Sequence, residues 1–212
     1  MAMTHYRIDR DGADRMLFLL HGYSAEQHHL AAYVPLVDPA ERFSAVCPRA
    51  LHDLAEGDGA SWWTRTASGP EPGSVRRAVD AVEALVTAET AARGIDRRRC
   101  VIGGFSQGGM LALAVATAAG AERFGGVWAM CCAKPDPTVV ATDPADAPGT
   151  PVLVQYGTAD AIVSVERGTA SAGWLGDAGW DVTLRGYDMG HSQTIEMMLD
   201  ARAWLAGVAD RP

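Results

Sequence analysis

At 212 residues, with 48% hydrophobic and 21% charged side chains, the chain suits one domain, 1–212, built on a single sizeable core. Its formal net charge of −8, from 26 acidic and 18 basic side chains, speaks against nucleic acid or an anionic membrane as main partner, because phosphate binding needs clustered Lys and Arg.

In chain order, residues 1–10 alternate polar and charged side chains and lack the apolar stretch of a signal peptide. Residues 16–20 (MLFLL) form a short apolar run ending in His-Gly, as a buried strand should. Residues 43–46 (FSAV) read as a second strand, stopped by Pro48. The clearest helix spans 74–93, where Val75, Ala78, Val79, Val82, Leu85 and Val86 share one stripe; Ser74 can cap its start and Gly94 its end. The basic run Arg97-Arg98-Arg99 reads as a solvated approach to the strand at 100–102 rather than a binding patch. That strand leads into a glycine cluster, and residues 107–119, small and apolar, read as a buried helix.

Residues 125–130 (GGVWAM) and 152–156 (VLVQY) read as further buried strands, 164–175 as a helix, 180–185 as a strand and 192–206 as a closing helix. Residues 50–72 and 134–151 read as long surface loops of the kind that flank binding sites. The alternation predicts an α/β fold: a mostly parallel sheet with helices on both faces and ligands at the carboxyl ends of the strands. The longest apolar run, 110–119, falls short of the ~20 residues a membrane span requires. Of the four cysteines, Cys47, Cys100 and Cys131 lie within or beside apolar runs and no C-x-x-C pair occurs, the pattern of buried reduced thiols in a cytosol. A cytoplasmic protein without stable membrane association is therefore expected.

Chemistry concentrates at Gly104-Phe105-Ser106-Gln107-Gly108, a G-x-S-x-G string between a strand and a helix. A serine on so sharp a turn needs tiny neighbours, and the turn presents its hydroxyl at the top of the sheet over a helix N-terminus that favours negative charge. A serine hydroxyl is a weak nucleophile until a base takes its proton. Of six histidines only His191 follows Ser106, between the strand at 180–185 and the last helix. Asp160, just past the 152–156 strand, is the candidate acid to orient the imidazole, with Asp188 as runner-up. The backbone N–H groups of Gln107 and Tyr23 are the candidate oxyanion donors, the latter in the loop Leu20-His21-Gly22-Tyr23. Trp62, Trp63, Trp128 and Met130 are the candidate substrate-binding residues, suited to an apolar acyl or aryl group; Trp128 and Met130 could equally fill a strand's core. His28-His29 lacks further ligands at metal spacing, so no metal and no cofactor is expected.

The segments LLHGYS, GGFSQGG, VQYGTAD and DMGHS, in this order, resemble the phospholipase/carboxylesterase family of α/β-hydrolases, which includes acyl-protein thioesterases and small bacterial carboxylesterases. The likeness runs from about residue 16 to 206. It implies an α/β-hydrolase fold without a large lid domain, Ser106 as nucleophile, Asp160 and His191 as its partners, and Tyr23 and Gln107 as oxyanion donors. The implied substrate is a small-molecule ester or thioester, with a lactone or dienelactone hydrolase, a peptidase, or a non-catalytic ligand-binding protein as alternatives. Ser61-Trp62-Trp63 resembles the family's Ser-Trp-Phe-Asp stretch, with Thr64 in place of the acid. Cys131-Cys132 stands where relatives carry Ser-Gly or Ser-Cys, which implies a reshaped acyl surface. Small proteins of this fold often pair, so a homodimer is left open.

Overall fold

The computed structural model describes residues 3–67 and 69–211; the first two residues of the 1–10 stretch, Ser68 of the 50–72 loop and Pro212 lie outside them. Seven strands form one sheet: β1 (His5–Ile8), β2 (Arg15–Leu20), β3 (Phe43–Pro48), β4 (Cys100–Phe105), β5 (Gly126–Met130), β6 (Pro151–Gly157) and β7 (Asp181–Tyr187), in the spatial order β1-β3-β2-β4-β5-β6-β7. Every pairing is parallel except that of β1 with β3. This is the mostly parallel α/β sheet that the alternating pattern predicts, and it agrees with the fold that the family resemblance implies.

The central strands are continuous apolar runs because both their faces are covered. Along β2, Met16, Phe18 and Leu20 join one core while Leu17 and Leu19 join the other. The first core is closed by α1 (Pro72–Arg93), α2 (Gln107–Ala116) and α3 (Val165–Asp177); the second by α4 (Ile195–Ala209) and two four-residue helical turns at His28–Ala31 and Val34–Val37.

Several local expectations shift. β1 lies in the stretch read as merely polar; it is an edge strand whose two central residues, Tyr6 and Arg7, are exposed and whose ends are half-buried, so it needs no apolar run. Helix α1 is capped by Glu71 rather than Ser74: the Glu71 carboxylate accepts the N–H groups of Gly73 (2.7 Å) and Ser74 (2.5 Å). Gly94 ends it at φ 63°, a left-handed cap. The 50–72 loop carries two small antiparallel ribbons, His52–Asp53 with Ala60–Ser61 and Arg65–Thr66 with Gly69–Pro70. In the basic run, Arg97 is buried, not solvated: it pairs with Glu83 and lies 4.1 Å over the Phe124 ring, while Arg99 pairs with Asp14. No described helix is long and apolar enough to cross a membrane.

Candidate active site

Strand β4 ends in Gly103-Gly104-Phe105 and passes through Ser106 directly into α2. Ser106 has φ 55° and ψ −114°, a strained conformation for a residue with a Cβ, and only a tightly packed junction sustains it. The flanking glycines supply that packing. A Cβ on Gly108 would meet the Leu20 carbonyl oxygen at 2.0 Å, and one on Gly104 would meet the Gly108 carbonyl carbon at 2.4 Å. The Ser106 N–H is held by the Met130 carbonyl at 2.8 Å, which fixes the turn against β5.

Two further strand ends deliver the partners. Asp160 follows β6 and His191 lies between β7 and α4. His191 Nε2 lies 2.8 Å from Ser106 Oγ, and His191 Nδ1 lies 2.7 Å from Asp160 Oδ2. Asp160 Oδ1 accepts the N–H groups of Ile162 and Val163, both at 2.8 Å, so the carboxylate cannot rotate freely. Burial alone pushes this carboxyl up, but the bonds from Val163, His191 and Ile162 outweigh it and hold Asp160 below the usual carboxylate range. An ionised acid, an imidazole and a hydroxyl thus stand in one line able to move a proton. Asp188, the alternative acid, is exposed. Phe105, which the sequence reading passed over, puts its ring 4.8 Å from the imidazole; as the residue before the serine, it was placed to do so.

Around Ser106 Oγ, the first N–H groups of α2 have no acceptor within the helix. The Tyr23 N–H also finds no protein acceptor among the described residues. The loop carrying it is set by His21, which is buried: Nδ1 faces the Gly22 carbonyl at 2.7 Å and Nε2 accepts the Ala50 N–H at 3.1 Å. Nδ1 therefore carries the only proton, and burial pushes the group down to about 4. His21 is a neutral clasp between β2 and β3.

The tryptophans divide. Trp62 is fully buried and donates its indole N–H to the His21 carbonyl at 2.8 Å. Trp128 is buried on the opposite core with its N–H on Gln155 Oε1 at 2.6 Å, and Met130 is buried beside it. None of these three offers surface to a substrate, so their substrate-binding reading is corrected to a core role. Trp63 does reach open space: with Val75, Met110, Leu111, Val139 and Val140 it walls a cavity of about 160 Å³, whose lining also includes Lys134 and Arg167.

That cavity begins one turn from the serine, since the Met110 N–H donates to the Ser106 carbonyl at 3.0 Å. Ser61, unflagged in the sequence, anchors its Trp63 wall by donating to the Trp63 carbonyl (2.7 Å) and accepting from Gln107 Nε2 (3.0 Å). Thr64, standing where the resemblance would place an acid, instead bonds Ser74 in the first turn of α1 (3.1 and 3.2 Å).

All four cysteines are free and buried, and burial pushes the Cys47, Cys100 and Cys131 thiols up to about 12, far from thiolate chemistry. Among the described residues no group of three or more His, Cys, Asp or Glu side chains gathers to hold a metal ion.

A family model described as phospholipase/carboxylesterase matches residues 7–208. Among curated relatives, acyl-protein thioesterase 1 of Gibberella zeae is 36% identical over 118 residues, covering 53% of this chain and 49% of that protein. A probable carboxylesterase of Oryza sativa subsp. japonica is 30% identical over 161 residues, covering 73% of this chain and 55% of that protein. The chain thus spans about half the length of the curated relatives it matches. Among solved structures, the Bacillus cereus carboxylesterase superposes with a TM-score of 0.83 at 20% identity, over 97% of this chain and 94% of that one. Esterase PE8 gives 0.86 at 22% identity, over 98% and 100%. At such identities these two likenesses speak for the fold alone.

Proposed function

The chain belongs to the phospholipase/carboxylesterase family, and from that membership we propose that it cleaves carboxylic esters or thioesters by two-step acyl transfer at Ser106. The observation that carries this reading is the relay Asp160–His191–Ser106, closed at 2.7 and 2.8 Å. His191 Nε2 takes the Ser106 proton as Oγ attacks the substrate carbonyl. Asp160 holds the proton on Nδ1 and stabilises the imidazolium that forms. Negative charge on the carbonyl oxygen is met by the Gln107 and Tyr23 N–H groups. His191 then passes its proton to the departing alcohol or thiol, leaving an acyl ester on Ser106. Water, deprotonated by the same imidazole, attacks that ester, releases the acid and restores the hydroxyl.

Metal and cofactor have no part in this scheme. The four buried free thiols support a reducing, cytoplasmic setting. Replacing Ser106 with Ala is expected to lower kcat on p-nitrophenyl acetate by on the order of 10³-fold or more and to abolish labelling by a fluorophosphonate. Near-normal turnover in that variant would overturn the assignment.

A further inference from the structure

The cavity beside Ser106 is apolar along its walls but carries two cations with no ion-pair partner among the described residues. Lys134, the only lysine of the sequence, follows the end of β5, and Arg167 sits in the first turn of α3. Several other arginines are committed: Arg7 and Arg93 to Glu89, Arg97 to Glu83, Arg42 to Asp210. Arg65, Arg76, Arg98, Arg123 and Arg202 form no ion pair among the described residues either, but none of them lines this cavity. Asp136, an acid on the same lining, is turned to its own loop, accepting the N–H and the hydroxyl of Thr138 at 2.8 and 2.7 Å. On a chain of net charge −8, two unpaired cations over one apolar hollow need a reason.

The hollow is also small. Its volume of about 160 Å³ is close to that of an apolar cavity that holds one benzene, roughly 150 Å³. A long fatty chain does not fit inside it; a short chain or a single ring does. Lys134 and Arg167 share this lining with Met110, one turn of α2 from the serine, so an occupant reaching from Ser106 into the hollow would lie among charged side chains.

We propose that the acyl group this cavity takes is short and ends in a carboxylate, so that the substrate is a half-ester or half-thioester of a dicarboxylic acid. This rests on the serine-esterase reading above and names its substrate class. The ester carbonyl lies at Ser106, the methylene chain lies along Trp63 and Met110, and the distal carboxylate meets Lys134 and Arg167. The bonds made and broken are those of ordinary acyl transfer: Ser106 Oγ joins the carbonyl carbon, the alcohol leaves with the His191 proton, and water releases the dicarboxylic acid. The distal carboxylate is unchanged throughout.

The test compares two esters of equal chain length, ethyl pentanoate and monoethyl glutarate, by pH-stat at low and high salt. The wild-type protein is expected to favour monoethyl glutarate at least tenfold in kcat/KM, chiefly through KM, with the preference shrinking at high salt. Lys134→Met and Arg167→Met, which keep an apolar stem without the charge, each lower the ratio of the two kcat/KM values severalfold. Arg202→Met, an equal loss of charge at an exposed position of α4, leaves that ratio unchanged. Cleavage of ethyl pentanoate with no preference, or a preference equal in all four proteins, overturns the inference alone. So does failure on monoethyl glutarate while Ser106 still takes a fluorophosphonate. Failure on both esters with Ser106 unlabelled brings down the esterase reading itself.

Discussion

Asp160 shows how much of a relay depends on a single acceptor. Its Oδ2 faces Nδ1 of His191, and a hydrogen held there leaves Nε2 bare, as the proposed transfer from Ser106 requires. Asp160→Asn keeps an oxygen for the Ile162 and Val163 N–H groups but turns an NH2 toward Nδ1. The ring must then place its hydrogen on Nε2, where it blocks proton transfer. The expected result is a fall in kcat on the order of 10⁴-fold with little change in the urea midpoint; a loss below tenfold would contradict the tautomer argument. The three residues of the proposed relay could be picked out because each follows a strand, Ser106 and Asp160 an apolar one and His191 the mostly exposed β7, and open α/β sheets put their chemistry at strand ends. The tryptophans were harder. Trp62 lies in a loop that reads as exposed, yet the loop folds inward because its Trp62 N–H and its Ser61 hydroxyl are both held by the Gln107 side chain. Nothing in a one-dimensional pattern records such a long-range tie.

Among the elements, the buried strands were readable and the β1 edge was not. β2, β4 and β6 read as strands because both faces are covered, whereas β1 exposes Tyr6 and Arg7 side by side at the sheet margin and buries neither of its ends fully. A polar residue within β6 was also unreadable. Gln155 is buried, accepts the Trp128 indole N–H at 2.6 Å, and donates to the Tyr187 hydroxyl at 2.7 Å and the Met197 carbonyl at 2.8 Å. Tyr187 passes its own hydrogen to Asp200 at 2.8 Å. One side chain therefore joins β5, β6, β7 and α4, and every polar atom it offers is satisfied. Gln155→Ala strands the buried Trp128 N–H, removes a second donor from the Met197 carbonyl and leaves a void, a destabilisation of about 2–4 kcal/mol by urea unfolding. Combining it with Trp128→Phe should fall short of additivity by about 1 kcal/mol, because the second change removes a donor already orphaned. Simple additivity would mean the two groups do not communicate.

For the molecule as a whole, the buried neutral His21 ties stability to pH. Its folded value of about 4 lies below the 6.5 of a free imidazole. Above pH 6.5 neither state binds this proton, and stability is at its full value. Below it the unfolded chain takes up a proton that the native clasp refuses, so stability falls by up to about 1.4 kcal/mol per pH unit until the native group titrates near 4. The loss over that window is on the order of 3 kcal/mol, a large share of the 5–15 kcal/mol typical of a folded domain. His29, lowered by its own burial, acts in the same direction, and Asp160, held below the usual carboxylate range, adds its loss only at lower pH. Urea unfolding at pH 7, 6 and 5 should therefore show the midpoint dropping well before carboxylates protonate. His21→Gln cannot titrate, so it starts less stable but loses less between pH 6.5 and 5. Parallel slopes for the two proteins would place the acid sensitivity elsewhere. The same clasp sets the loop that carries the Tyr23 N–H, the proposed second oxyanion donor, so acid would loosen that loop before the sheet itself gives way.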